Sequence, residues 1–355
     1  MISETPEPRP HRLFLSLSGL VVIAGLQPIA NGLLTFADLY GSPAPPRLIH
    51  AVEVGQISAA TALFAWLALR VIHRTTLDRV SRRRRLLERG AAVTIGALAI
   101  YTAMPAAGLQ LVGVAVFGVA VFGVAVAWLA LEVCRAHGLP LDRPTAPADR
   151  TEKFWSVAPL AFGACLAGGT ATALLLTALS GAGVPVMEGQ QLAATGITNA
   201  LDMVLNVTWA AGVEDVVMVA AVTTLLTAAR RPAWQIYTTV CVLEVGVHAY
   251  FGIPGIGMAL YAAGRVWLYR RFHRLLPMVA GHIAYDLIAA LNQSLPPIYR
   301  DVMFTLALAA GLLYEGWAKR TKTPGSPPPA RSRQRPETAP DHSSPVSPDA
   351  PSVRR

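Results

Sequence analysis

Long uninterrupted apolar stretches recur along the chain, and they restrict it to a membrane fold. Residues 111–131, LVGVAVFGVAVFGVAVAWLAL, contain no polar side chain. A helix of about 20 such residues crosses a bilayer core of about 30 Å. Only helices and closed barrels satisfy their backbone groups in lipid, and these runs lack the alternation of barrel strands. The sequence therefore predicts an all-α, polytopic transmembrane helix bundle.

Composition supports this fold class and excludes a soluble enzyme. Hydrophobic residues make up 53% of the chain and charged residues 14%, whereas soluble domains carry roughly 25% charged residues. The stretch 185–207 is too polar for a lipid-facing helix, and we interpret it as a re-entrant or interfacial segment that leads into the next span. Ten spans are predicted, at 13–36, 51–72, 91–107, 109–134, 156–180, 208–229, 234–252, 254–271, 275–292 and 300–318.

Basic residues lie mainly between the apolar runs and set the expected topology. The net charge is +9, and the connection 73–90 alone holds seven arginines. Because basic connections stay in the cytoplasm, ten spans place both termini on the cytoplasmic side of the cell membrane. The positive charge is thereby explained by membrane orientation, and no nucleic-acid partner is expected. The bilayer itself is the expected surrounding partner.

The chain divides into three predicted regions. Residues 1–150 form an N-terminal module of four membrane helices, and 151–318 form a second helical core. Residues 319–355 are dense in Pro, Ser and Arg, which predicts a disordered cytoplasmic tail. Three cysteines lie in or beside apolar segments without C-x-x-C spacing, which predicts small core residues rather than disulfides or metal ligands. They are Cys134, Cys165 and Cys241.

A five-residue glycine repeat occurs in the fourth predicted span. Gly113, Gly118 and Gly123 recur in GVAVFGVAVFGVAVAW. Small residues allow close helix approach, but low-complexity apolar filler is the preferred interpretation here.

Six acidic and imidazole side chains interrupt the apolar spans of the second half. An acid at the centre of a spanning helix costs about 2.5–3.5 kcal/mol on insertion scales, so each one requires a reason. Glu214 and Asp215 are adjacent and diverge by about 100°, so only one of them is expected to enter a site. In the other two pairs the partners are four residues apart and share one helical face. These pairs are Glu244 with His248 and His282 with Asp286.

Two imidazoles among several carboxylates suit proton transfer near neutral pH, which leaves transport or hydrolysis. Three kinds of intramembrane protease are excluded by pattern. The chain has no H-E-x-x-H of site-2-type zinc proteases, no G-x-S-G of rhomboids and no G-x-G-D of presenilin-like proteases.

The remaining motifs resemble those of the CAAX-prenyl-protease and bacteriocin-processing (CPBP, or Abi) family of intramembrane proteases. Its signature is E-E-x-x-x-R, then F-x-x-x-H, then H-x-x-x-(N/D) about 35 residues later. Here Glu214-Asp215 matches the first pair, His248 the second motif, and His282-x-x-x-Asp286 the third, 34 residues after His248. The resemblance covers about 155–318 and assigns the second core to this protease fold.

Three positions depart from the family signature. Asp215 replaces the second Glu but retains the acid. Val219 stands in place of the Arg, so an ion pair that orients the acidic pair is either missing or supplied from elsewhere. Glu244 replaces the Phe, and its side chain is expected to accept a hydrogen bond from the His248 imidazole.

The resemblance implies an endopeptidase that cleaves a membrane-associated protein or a leader or sorting peptide. It makes Glu214 the general base, with His248 helping to hold and activate a water, and His282 faces the oxyanion with Asp286 orienting it as a donor. Asp215 and Glu244 are expected to support these groups. No cofactor is required, although Glu214, His248 and His282 are a possible zinc ligand set.

Three alternatives remain open. Buried ion pairs that only hold helices together would explain each acid singly. A catalytically inactive scaffold or immunity protein on the same fold fits the Val219 departure. A proton-coupled transporter would use polar residues as a relay, although no internal repeat typical of transporters is evident. The relay would be formed by Glu53, Asp202, Glu214, His248, Arg265 and Asp286.

Overall fold

The secondary structure that the protein shows is entirely helical. The computed structural model describes residues 10–78, 81–103, 112–142, 147–187, 197 and 199–294. The chain divides into two units, Met1–Pro296 and Pro297–Arg355, and all the described residues belong to the first. The predicted span at 300–318 and the predicted tail at 319–355 therefore lie outside the described residues.

The described residues contain nine main helices, numbered here in chain order. Two short 3₁₀ turns, Ala249–Phe251 and Ile253–Gly257, separate α7 from α8. The helices are α1 (Pro10–Leu39), α2 (Pro46–Leu77), α3 (Arg82–Ala103), α4 (Val112–Ala136), α5 (Pro147–Gly181), α6 (Ala200–Ala228), α7 (Ala233–Val247), α8 (Met258–Phe272) and α9 (Leu275–Ser294).

Six of these helices, α1, α2, α4, α5, α6 and α9, are long and apolar enough to cross a bilayer. The chain is thus a membrane protein with transmembrane helices. The predicted spans 234–252 and 254–271 correspond to α7 and α8, each of only 15 residues. Both helices are shorter than predicted, because the residues between them form two 3₁₀ turns on either side of Gly252, whose φ is +80°.

Helix α6 lies at the centre of the bundle. Within its most apolar window 89% of the residues are buried, against 17% for α2. The predicted start of the sixth span at 208 is too late, because α6 runs without a break from Ala200 to Ala228 and so includes the end of the stretch 185–207. Residues 188–196 and 198 lie outside the described residues. Of the polar side chains at the start of α6, Asp202 is buried.

The middle of α6 is a π-helix. Ala211–Ala221 make i→i+5 hydrogen bonds, and all 11 of these residues are buried. π-Helical geometry is rare beyond a single turn and often occurs at functional sites. Its wider turn changes the direction of every side chain relative to an α-helix.

Small residues bring the helices into backbone contact. Gly123 of α4 packs against the backbone of Trp209 and Gly212 in α6, where a Cβ would overlap these atoms. The interpretation of this glycine as apolar filler is therefore wrong, and close helix approach explains it.

The same kind of contact fixes α8 and α9 against α5. Gly168 of α5 lies against the backbone of Tyr261 in α8. Gly281 of α9 lies against the carbonyl oxygen of Ala158 in α5. These contacts set the positions from which α8 and α9 extend side chains toward α6.

Helix α1 packs against the end of α7. A Cβ on Gly32 would lie 2.8 Å from the carbonyl oxygen of Gly246 and 3.2 Å from that of Val247. The backbone that leads into His248 is thus in direct contact with the first helix of the chain.

An ionic network joins the ends of α2, α3 and α4. Arg74 lies 2.5 Å from Glu88 and 2.9 Å from Glu132, whose other oxygen is 2.9 Å from Arg135. Arg84 donates to Glu88 over 2.8 Å. Hydrogen bonds from Arg84 and then Arg74 hold the pKa of Glu88 below its usual range, against the opposing effect of burial. We refer to Arg74, Arg84, Glu88, Glu132 and Arg135 as the peripheral network.

Candidate active site

The polar residues predicted from the sequence meet inside the bundle. α6 supplies Glu214 and Asp215 from its π-helical segment, and α9 supplies His282 and Asp286. α7 supplies one further acid, and His248 follows directly after its last residue. Together with two residues of α8 they form what we call the buried cluster, composed of Glu214, Asp215, Glu244, Tyr261, Arg265, His282 and Asp286.

A single arginine, Arg265 of α8, lies within ion-pair distance of three acids of the buried cluster. Its guanidinium forms an ion pair with Asp215 and is itself fully buried. Nη1 lies 3.7 Å from Glu214 Oε2 and 3.6 Å from Glu244 Oε1. One cation therefore serves three carboxylates. It also supplies, from a different helix, the guanidinium that Val219 cannot provide.

Tyr261 connects the general-base candidate to an imidazole. Its hydroxyl lies 2.7 Å from Glu214 Oε2 and 2.7 Å from His282 Nε2. Its ring lies beneath the Arg265 guanidinium, 4.3 Å from Cζ to the ring centroid. The phenol is thus fixed from both ends, because its ring binds a cation and its hydroxyl has two partners.

His282 is held by two acids. Nδ1 lies 2.9 Å from Asp215 Oδ2, and Nε2 lies 3.3 Å from Asp286 Oδ2. The sequence interpretation gave Asp286 the task of orienting His282. The shorter contact is with Asp215, so Asp215 fixes the ring and Asp286 flanks its far side.

The angle expected between Glu214 and Asp215 assumed an α-helix and is wrong, whereas Asp215 contacts His282, as its expected supporting role requires. Both side chains reach the buried cluster, where Glu214 meets Tyr261 and Asp215 meets His282. The physical reason is the π-helix, whose wider turn reduces the angle between neighbouring side chains. Two adjacent acids thereby face the same group of partners.

The expected bond between the Glu244 side chain and His248 is also wrong. His248 Nδ1 donates instead to the backbone carbonyl of Glu244, 2.9 Å away. Because a carbonyl only accepts, Nδ1 carries the proton and Nε2 is the basic nitrogen. Both carboxylate oxygens of Glu244 are buried and have no hydrogen-bond partner among the described residues. The nearest cation to them is Arg265.

His248 lies beside the buried cluster. Its ring centroid is 6.2 Å from that of Tyr261, whose hydroxyl contacts Glu214. Its ring stacks over Phe251, with centroids 6.1 Å apart and an interplanar angle of 4°. This stacking fixes the imidazole at the end of α7, next to the general-base candidate.

Burial differs within the site and indicates where a substrate could enter. Asp215, Glu244 and Arg265 are fully buried, whereas the Asp286 side chain is 23% exposed. His248 is 8% exposed. Asp286 is therefore the site residue nearest the protein surface, and a substrate would meet it first.

The residues present do not fit a zinc ion in this arrangement. Both ring nitrogens of His282 already contact protein groups, and Arg265 places a positive charge among the carboxylates. Among the described residues, no group of three or more His, Cys, Asp or Glu side chains has a geometry suited to a metal. We derive no step of the chemistry through zinc.

Two functional residues escaped the motif comparison, Tyr261 and Arg265. They lie four residues apart, on one face of α8. An arginine in an otherwise apolar helix is a signal in itself, since it requires an acidic partner. The proton-relay alternative includes Arg265 as a polar residue outside the motifs, whereas nothing in the sequence distinguishes Tyr261 from other tyrosines in apolar helices.

Two other members of the predicted relay lie elsewhere. Glu53 is exposed on α2, where its carboxylate is 3.5 Å from His50. Asp202 is buried near the start of α6 and accepts a hydrogen bond from Asn199 over 2.9 Å. The cysteines are free, Cys134 and Cys165 being buried and Cys241 partly buried.

Comparisons with protein-family models, curated proteins and solved structures find no match to this chain. The functional argument therefore rests on the chemistry of the buried cluster.

Proposed function

We propose that the protein is an intramembrane endopeptidase related to the CPBP family. The observation that carries this proposal is the contact between Tyr261, Glu214 and His282 inside a membrane bundle, with His248 beside it. A carboxylate and two imidazoles in a water-poor site are the groups that proton transfer in peptide hydrolysis requires.

In this proposal Glu214 and the basic Nε2 of His248 hold a water molecule. Glu214 takes a proton as the water oxygen attacks the scissile carbonyl, and returns it to the amine as the C–N bond breaks. The positive charge of a protonated His282 stabilises the oxygen that becomes negative. Arg265 keeps Asp215 ionised, and Asp215 in turn orients His282.

The proposed substrate is a membrane-associated protein or a leader or sorting peptide. We propose ten spans, with both termini cytoplasmic in the cell membrane, because this topology leaves the basic connections on one side. In this proposal the N-terminal module ends at residue 150 and the protease core at residue 318, after which the tail begins.

The test compares the termini of membrane proteins in cells that carry wild-type protein or Glu214→Gln. We expect a set of cleaved termini to disappear and the uncut substrate to accumulate in the variant, as in His248→Ala and His282→Ala. Glu53→Gln is the matched control, since it makes the same chemical change on the exposed face of α2. Wild-type cleavage by all three site variants at normal membrane abundance would contradict the proposal.

A proton-coupled transporter is the second candidate, and one observation favours it. Glu214, Tyr261 and His282 form a continuous chain of proton carriers inside the bundle, and each is nearly or fully buried. Purified protein in vesicles with a trapped pH dye separates the two candidates. Proton movement without any peptide cleavage would support the transporter.

The inactive-scaffold alternative loses its main support. It depended on the absence of the motif arginine at Val219, whereas Arg265 contacts Asp215 from α8.

A further inference from the structure

The Tyr261 hydroxyl has two strong partners and only one proton to give. Glu214 Oε2 and His282 Nε2 each lie 2.7 Å from its oxygen. Both distances lie within the range of a hydrogen bond, and the same hydroxyl oxygen is 3.4 Å from the other ring nitrogen, Nδ1. One of the partners must therefore donate a proton to the tyrosine oxygen while the other accepts one from it.

The opposite nitrogen of His282 fixes the count of protons. Asp215 Oδ2 lies 2.9 Å from Nδ1, and the ion pair with Arg265 keeps Asp215 ionised. An ionised carboxylate only accepts, so Nδ1 carries a proton. Nε2 faces the Tyr261 hydroxyl at 2.7 Å and the Asp286 carboxylate at 3.3 Å.

Two arrangements of protons satisfy both contacts of the Tyr261 hydroxyl, with Glu214 and with His282. In the first, Glu214 is protonated and donates to Tyr261, and Tyr261 donates to the bare Nε2 of a neutral His282. In the second, Tyr261 donates to ionised Glu214, and the Nε2–H of a cationic His282 donates to Tyr261. Two protons shift by one hydrogen bond each between the arrangements, so Glu214 becomes anionic and His282 becomes cationic while the net charge of the three groups is unchanged.

We propose that Tyr261 relays a proton between Glu214 and His282, so that the two groups share a single proton. The relay converts a protonated Glu214 into a base and, in the same movement, makes His282 a cationic hydrogen-bond donor. This catalytic consequence rests on the proposed function, whereas the shared proton does not. Hydrolysis needs an ionised base and a nearby positive charge that stabilises the oxyanion, so one transfer prepares both.

The surrounding charges bear on both arrangements. Arg265 Nη1, 3.7 Å from Glu214, favours the ionised carboxylate. Asp286, 3.3 Å from Nε2, favours the cationic imidazole. The titratable and charged groups that face the relay come from α5 to α9, and they are Cys165, Asp215, Glu244, His248, Arg265, Tyr285 and Asp286.

The experiment measures whether Glu214 and His282 titrate together through the hydroxyl. Full-length protein with ¹⁵N-labelled histidine is titrated by NMR, and the His282 signal is identified by its loss in His282→Gln. The pH midpoint of this signal is compared in wild type, Glu214→Gln, Tyr261→Phe and the double variant. We expect Glu214→Gln to move the midpoint by about one pH unit or more, as interacting sites do. In the Tyr261→Phe background the movement should fall to less than half.

Tyr285→Phe provides the matched control background. It removes a hydroxyl from α9 that packs against Gly169 of α5, and the full movement of the midpoint should persist. Equal movement with and without the Tyr261 hydroxyl would overturn the relay, because the charge of Glu214, only 3.8 Å from Nε2, would then act directly. No movement in either background would overturn it as well.

If Tyr261→Phe fails to fold, 3-fluorotyrosine at position 261 retains the hydroxyl and makes it a stronger donor. The His282 midpoint should change with fluorination at position 261 and stay constant with fluorination at position 285, and the reverse result would contradict the relay. Coupled titration without any peptide cleavage would retain the relay and refute the hydrolase. Cleavage that depends on Glu214 without coupled titration would do the opposite.

Discussion

Two groups of charged residues in this protein follow different rules. In the peripheral network, Glu88 and Glu132 each contact two arginines. In the buried cluster four carboxylates share Arg265 and His282. Matched charges with fixed partners hold helix ends together, whereas an excess of acids leaves protons to be shared. The difference indicates that the first group stabilises the fold and the second performs chemistry.

The largest expected effect separates the two groups by activity. Glu214→Gln should reduce cleavage by roughly 10² to 10⁴-fold, the usual contribution of a general base. Glu132→Gln makes the same change in the peripheral network and should leave cleavage per folded molecule unchanged. Quantitative cleavage of the substrate identified in cells, normalised to folded protein, measures both. Equal losses in the two variants would remove the distinction between the groups.

Removal of the arginines should separate the two groups by stability. Arg265→Gln leaves Asp215 and Glu244 buried without their cation, which should cost about 3–5 kcal/mol of the free energy of unfolding. Arg74→Gln should cost less, about 1–3 kcal/mol, since Glu132 retains Arg135. Thermal unfolding of purified protein in detergent compares them. A larger loss from Arg74→Gln would reverse the order proposed here.

A smaller effect tests whether the buried cluster holds more acids than its cations can pair. Glu244→Gln removes one of the three carboxylates that share Arg265. Because like charges close together disfavour ionisation, stability should stay constant or rise by up to about 1 kcal/mol. The same thermal measurement applies. A clear loss of stability would show that Glu244 is a required partner of Arg265.

The smallest effect concerns the pH dependence of the peripheral network. Hydrogen bonds from Arg84 and Arg74 lower the pKa of Glu88 below its ordinary value of 4.5 in the folded protein. Its contribution to stability is therefore complete above pH 4.5 and is lost as the pH falls through the lower, folded-state pKa. The thermal midpoint of wild type should thus fall more steeply under acid conditions than that of Glu88→Gln. Parallel curves for the two proteins would contradict this.

The membrane fold was predictable because bilayer thickness sets the length of an apolar helix. Span limits were harder to predict where glycine and proline break a helix inside an apolar region, as between α7 and α8. The π-helix of α6 was not predictable, since AGVEDVVMVAA has the same apolar character in either helical geometry.

The sequence identified the acids and imidazoles whose presence in apolar helices requires an explanation. It could not identify the residues that they contact. Spacing placed His282 and Asp286 on one face of a helix, and they lie 3.3 Å apart. The contacts of Arg265 and Tyr261 with α6 and α9 depend on how separate helices pack. Small residues such as Gly168 set that packing, and their role becomes evident only when the neighbouring helix is known.

The contact between α1 and the end of α7 makes the site sensitive to the thickness of the bilayer. α1 has 30 residues, which is about 45 Å of helix and longer than a hydrocarbon core of about 30 Å. A helix of this length adapts to its membrane by tilting. Because Gly32 contacts the backbone just before His248, we expect the tilt of α1 to move that backbone. Lipids with shorter or longer acyl chains should therefore alter the position of this imidazole without any change in the protein.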